Sequence, residues 1–338
     1  MQSAPKTFDE IHDRCRTKPS VNSEAAKRAA DRNAILTKPP GSLGRLEDLA
    51  IWYMSWRAGR VQEVSAIQTI IFAGNHGIAT QGVSAFPADV TAQMVANFSA
   101  GGAAINQLVD VLGGTLDVIS LDLETPTHDF TEAPAMSVDE TLKAFRAGWE
   151  SIDVSADLLI LGEMGIGNTT AASAICLGLF GGDADDWIGI GTGIDPAGID
   201  RKRAVLNAAV RRHESLLEDP LGVLRCLGGR EIAAMTGALC AARHASLPVV
   251  LDGFICSAAA AVLFRCAPDM LAHVVAGHIS SEQAHRRLLE AMDLSPLLDL
   301  RMRLGEGSGA AVAAHILKCA VACHTGMASF AEAGVSES

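Results

Sequence analysis

Two glutamates stand in loops that would otherwise read as anion-binding. Glu306 lies in RLGEGSGAAVAAHILK, residues 303–318, and Glu163 in LILGEMGIGNTTAA, residues 159–172. Both stretches read as a strand end, a glycine-rich loop and the first turns of a helix. Such a junction turns backbone N–H groups and a positive dipole end toward a negative ligand. A carboxylate there can cap free N–H groups. In a partly dry pocket, where desolvation raises its pKa, it can instead work as a general base. One such site favours the cap; two parallel sites favour chemistry, without naming a reaction.

Around Glu163, Gly165 and Gly167 allow close backbone approach, and Asn168, Thr169 and Thr170 can cap the helix or donate to an anion. The spacing is neither GxGxxG nor a Walker A loop, because no lysine precedes Thr169. An ordinary tight turn fits the pattern equally well. A second small-residue loop, GIGTGIDPAGIDRKRA, offers Gly191, Thr192 and Gly193 to the same phosphate, while Lys202 after it reads as a solvated lysine. Asp252 in VVLDGF can hydrogen-bond a ribose or cap the next helix, and His76 in FAGNHG reads as structural. No Ser/His/Asp arrangement emerges from the spacing, GNHG lacks the G-x-S-x-G elbow, and there is no HExxH. The eight cysteines include no CxxC pair and read as buried free thiols. Cys319, Cys323 and His324 share a helix without a second ligand cluster, so no metal site is expected.

The elements that must position these residues alternate. Short apolar runs, AIQTIIFAGNHG, TLDVISLDL, ADLLILGEMG, DWIGIGTG, LPVVLDGF and AHVVAGH, read as strands separated by helical stretches. Near-continuous apolar strands between helices predict a mainly parallel sheet covered on both faces, a Rossmann-like, doubly wound α/β fold. Its carboxyl rim would gather Asn75, His76, Glu163, Thr192, Asp252, His278 and Glu306. Residues 1–60 read as helical, with Ser42 capping a helix that begins at LGRLEDLA, and are expected to form a small helical domain with 311–338. The large α/β domain then spans 61–310.

Composition bounds the rest. Hydrophobic residues make up 49% and charged residues 20%, enough for a substantial core. A net charge of −12 and only 4% aromatics argue against nucleic acid or an anionic membrane as partner. The N-terminus shows no apolar h-region, and the run GFICSAAAAVLF is too short for a span, so the expectation is a soluble, cytoplasmic protein.

Several blocks together, TKPPGSLGRLEDLA, FAGNHGIATQGVSAFPADVTAQMVANF, LGEMGIGNTTAAS, PVVLDGF, RLGEGSGAA and FAEAGVS, resemble the nicotinate-nucleotide–dimethylbenzimidazole phosphoribosyltransferases, in order from about residue 30 to the end. The resemblance implies transfer of phosphoribose from nicotinate mononucleotide to 5,6-dimethylbenzimidazole. The products would be α-ribazole 5′-phosphate and nicotinate, with inversion at the anomeric carbon, for the lower ligand of cobalamin. It implies no cofactor, and a homodimer. By the same resemblance Glu306 is the general base, and Glu163 lines its pocket and stabilises charge developing on the sugar. Gly165, Ile166, Gly167, Asn168, Thr169 and Thr170, with Gly191, Thr192 and Gly193, take phosphate and ribose. Lys202 lies near the phosphate, Phe86 and Met94 wall the flat base, and Asp252 and Ser308 complete the substrate contacts. Another acceptor (adenine, a different benzimidazole or a phenol) keeps the same fold. A non-catalytic nucleotide sensor would gain nothing from two carboxylates, and an ATP phosphotransferase lacks its Walker lysine.

Overall fold

The computed structural model describes residues 2–58, 63–189 and 196–336. Five parallel strands, β1 (Ile67–Ala73), β2 (Thr115–Ser120), β3 (Leu158–Met164), β4 (Val249–Leu251) and β5 (Val274–Ala276), form one sheet in the order β2-β1-β3-β4-β5. The helices are α1 (Phe8–Arg16), α2 (Ser23–Ile35), α3 (Arg45–Trp56), α4 (Asp89–Ser99), α5 (Ala104–Leu112), α6 (Val138–Ser151) and α7 (Asn168–Phe180). They continue with α8 (Pro196–His213), α9 (Pro220–Leu227), α10 (Arg230–Ala245), α11 (Phe254–Cys266), α12 (Gln283–Ala291), α13 (Ser308–Gly326) and α14 (Phe330–Ala333). This is the doubly wound α/β fold that the alternating pattern predicts.

Side chains alternate across a strand, so each strand feeds two cores. Ile70, Phe72, Leu159, Leu161, Val249 and Leu251 join the cluster that contains Phe145 and Trp149 of α6, much of α10 and α11, and Ile11 and Cys15 of α1. Ile67, Ile71, Leu158, Ile160 and Val250 join the opposite cluster, with Leu49 and Tyr53 of α3, Ile105 and Val109 of α5, and Leu317 and Val321 of α13. Both faces of β1 and β3 are therefore dry, and their residues from Leu158 to Leu161 and Ile70 to Phe72 are fully buried. β2 lies at the sheet edge and is partly exposed, which accounts for its more polar composition.

Three local expectations fail. Of DWIGIGTG, the described residues 186–189 form no strand: Ala184–Asp186 is a short 3-10 turn and the indole of Trp187 donates back to the Gly181 carbonyl, while residues 190–193 lie outside the described residues. RLGEG is not a strand end either, because residues 301–305 reach α13 without joining the sheet. Ser42 does not cap α3. Gly44, at φ +54°, occupies the cap position, and the Glu47 carboxylate takes the Leu43 N–H at 3.0 Å and the Lys38 ammonium at 3.0 Å.

Candidate active site

In this strand order the chain leaves β1 toward one edge and β3 toward the other. The crevice beyond their carboxyl ends is the switch point where open α/β sheets bind ligands. Glu163 is the penultimate residue of β3, paired with Phe72 of β1. Beyond it the chain turns through Gly165–Gly167 into α7, while β1 continues into Gly74, Asn75 and His76. Glu163, Met164, Gly165, Ile166, Asn168 and Thr169 line one wall of a cleft. Arg303, Leu304, Gly305 and Glu306 form another wall, and Gly253–Ile255, His278, Ser280 and Glu282 a third.

Glu306 reaches this cleft by an unusual backbone. Gly305, Glu306 and Gly307 adopt φ values of +83°, +61° and +79°, three successive left-handed residues. A residue with a β-carbon gives up roughly 1–2 kcal/mol to stand there. The turn rests on β3 at Gly162, where a β-carbon would lie 2.6 Å from the Glu306 carbonyl carbon and 2.7 Å from the Gly307 nitrogen. Gly305 in turn leaves room for the Glu163 carboxylate. The two glutamates, distant in sequence, are thus brought to one cleft by glycines that remove the intervening side chains.

Both carboxyls are 6% exposed. Burial, reinforced by the charge of Asp252, pushes the Glu306 carboxyl up to about 7. Burial raises Glu163 well above the ordinary carboxylate range, with the charges of Asp252, Glu231 and Glu306 adding to the rise. The Asn168 amide, which donates to Glu163, opposes it. Around neutral pH, Glu306 is the group poised to exchange a proton.

Asp252, just past β4, is 1% exposed and caps a helix other than the one that follows it. Its Oδ2 accepts the Gly307 N–H at 3.2 Å and its Oδ1 the Ala310 N–H at 3.0 Å, so it fixes the left-handed turn to the start of α13. Burial alone would raise this carboxyl. The His278 contact and the N–H groups of Ala310 and Gly253 outweigh it and hold the pKa below its ordinary value. Asp252 therefore stays charged and positions Glu306.

The remaining residues singled out from sequence divide into two groups. Gly165, Ile166, Asn168 and Thr169 line the cleft, whereas Gly167 (φ +96°), Thr170 and Ser308 stand behind it at the helix starts. The hydroxyls of Thr170 and Ser308 are buried without a hydrogen-bond partner. Lys202 is not solvated but 2% exposed; its Nζ donates to the Gly189 carbonyl at 3.1 Å, and burial lowers its pKa against the pull of Glu282. Gly191, Thr192 and Gly193 lie outside the described residues. Phe86, 50% exposed, and Met94, packed against the second core, are not among the cleft-lining residues. His76 has a fully buried ring bonded to Glu231 at 2.5 Å, as a structural histidine would be.

Sequence reasoning missed Thr91, whose buried hydroxyl accepts the Ile166 N–H at 3.2 Å and anchors the 165–167 turn to α4. It also missed Arg303, Ser280 and Glu282, for which no local pattern gave a signal. Among the described residues, no group of three or more His, Cys, Asp or Glu side chains is arranged to hold a metal ion, and no helix is long and apolar enough to cross a membrane.

A family model described as phosphoribosyltransferase matches residues 18–335. The nicotinate-nucleotide–dimethylbenzimidazole phosphoribosyltransferase of Ruegeria pomeroyi is 59% identical over 319 residues, 94% of either chain. That of Roseobacter denitrificans is 56% identical over 337 residues and covers 100% of both. The crystal structure of the enzyme of the same name from Thermus thermophilus superposes with a TM-score of 0.87 at 38% identity, covering 94% of this chain and 100% of the other.

Proposed function

The chain belongs to the nicotinate-nucleotide–dimethylbenzimidazole phosphoribosyltransferase family, and from that premise we propose that it moves phosphoribose from nicotinate mononucleotide to 5,6-dimethylbenzimidazole, with Glu306 as general base. The observation that carries the assignment of the base is its placement. A glutamate is held in a left-handed turn over β3, buried, beside the charge of Asp252, with a pKa of about 7.

The chemistry needs one base and little else. Nicotinate departs from a pyridinium nitrogen, so breaking the glycosidic bond relieves positive charge and requires no acid. A neutral ring nitrogen of the acceptor forms the new bond to the anomeric carbon. The remaining ring N–H of the resulting cation becomes acidic, and Glu306 takes that proton. Attack from the face opposite the leaving group inverts the centre from β to α. Glu163 lies close enough to the same cleft to favour positive charge on the sugar whenever it is ionised. The N–H groups opening α7, together with Thr169 and Asn168, suit the phosphate and ribose, and Lys202 is assigned a further part near the phosphate. Holding both substrates in line supplies much of the remaining acceleration. The active form in this proposal is a homodimer, and the exposed Leu304 at the cleft is available to a second copy.

The test is nicotinate release, followed by chromatography, from purified protein mixed with nicotinate mononucleotide and dimethylbenzimidazole without added metal. Release well above background is expected; none would sink the proposal. Because Phe86 and Met94 do not line the cleft, the acceptor is the part to vary. A panel of adenine, benzimidazoles and phenols ranks it by kcat/KM.

A further inference from the structure

His278 has no part in the reaction as written, yet it is built into the support of the base. It follows β5, and its backbone is held by a parallel bridge to Leu298, with the Ile279 N–H donating to the Leu298 carbonyl at 2.8 Å. The residue is 2% exposed and lines the cleft. Its Nε2 is 3.3 Å from Oδ1 of Asp252, the oxygen that also accepts the Ala310 N–H. Neither ring nitrogen makes a well-aligned hydrogen bond, so the contact with Asp252 is electrostatic. The ring occupies a notch in the first turn of α13: a β-carbon on Gly309 would overlap its Cδ2 and Nε2 and lie 2.5 Å from its Cγ.

We infer that His278 is a positioning residue for Glu306, acting through Asp252 and Gly309. The ring holds the Asp252 carboxylate against the start of α13 and offsets part of its charge, which otherwise bears on Glu306. This rests on Glu306 being the base.

Other groups bear on the same corner. Glu163 from β3, Cys256 from α11 and His285 from α12 all interact electrostatically with Asp252, and His285 also faces His278 at 6.2 Å between ring centroids. Glu282 and Arg303 line the cleft beside them. His285 accepts the Ser280 N–H at its Nδ1 and is 3.0 Å from the Ser257 hydroxyl through Nε2, so its tautomer is fixed and it does not replace His278 as a partner of Asp252.

The experiment compares kcat/KM for the acceptor against pH in the parent, His278→Leu and His278→Gln, with thermal melts alongside. Losing the ring leaves the Asp252 charge less offset, so Glu306 holds its proton more tightly and the acidic limb moves to higher pH. In the Leu variant kcat/KM at pH 6.5 is expected to fall roughly twofold to sixfold further below its pH 8.5 value than in the parent, as a shift of half to one unit from about 7 gives. In the Gln variant, whose amide keeps a dipole facing Asp252, the limb moves the same way but by less than in the Leu variant. A limb unmoved or moved downward in the Leu variant, with only the melting temperature lowered, overturns the inference. Should the Leu variant not fold, Gly309→Ala must move the limb the same way, because its methyl drives the ring off Asp252; an unmoved limb there is equally fatal. A parent protein that releases no nicotinate at any pH would instead defeat the proposed reaction itself.

Discussion

Gly162 and Glu306 touch through their backbones: a β-carbon on Gly162 would fall 2.6 Å from the Glu306 carbonyl carbon. Glu306 is therefore seated on the central strand by an absent side chain. Gly162→Ala is expected to lift the 305–307 turn, abolish most turnover and cost roughly 1–3 kcal/mol, as overpacking a tight contact does. Activity and chemical denaturation measured together check this; an alanine variant of parental activity would mean the turn does not need that seat.

Glu306→Gln should lower kcat by roughly two to four orders of magnitude while leaving nicotinate mononucleotide affinity little changed. In the parent, kcat/KM for the acceptor rises with pH to a plateau above about 7, where the carboxylate is ionised. Isothermal titration and a pH–rate profile are the measurements. A glutamine variant that turns over normally removes Glu306 from the role.

The same carboxyl links stability to pH. Its pKa rises from an ordinary 4.5 to about 7 on folding, so between those values the native state binds the proton and the unfolded chain does not. Stability from this group is present in full below pH 4.5 and is lost as pH rises to about 7. Glu306→Gln removes that loss, so its melting temperature should gain on the parent across the window and hold a constant lead above it. Parallel curves at every pH would contradict the shift.

Asp252→Asn is expected to act in two opposite ways. Without the neighbouring charge Glu306 ionises more easily, moving the acidic limb to lower pH, while the weakened cap on α13 costs about 1 kcal/mol of stability. The pH profile and a urea melt separate the two effects. A limb that stays in place would show that the Asp252 charge does not reach the base.

Much of this was legible in the chain. The alternation of apolar runs with helices is a local pattern, and it gave four crossovers and the rim that holds Asn75, His76, Glu163, Asp252 and His278. Glycines on both sides of Glu306 signalled that substrate or backbone must come close. What failed depends on partners distant in sequence. DWIGIGTG has the composition of a strand, yet Trp187 is drawn into packing with Phe180 at 5.8 Å between ring centroids. The Asp252 cap serves a helix that starts 56 residues later, beyond the reach of any spacing rule. Lys202 looked like a surface lysine because burial of its ammonium is decided by Gly189 and Glu282, which no helical period connects to it.

The seat on Gly162 also bears on how the protein is made. All five strands precede residue 277, so a growing chain can complete its sheet and bury much of one face before Glu306 has been synthesised. The cleft exists only once the segment after β5 has docked α13 across β3 and β4. Catalytic competence therefore waits on the docking of α13, which seats Glu306 against Gly162 and closes the second core over the sheet.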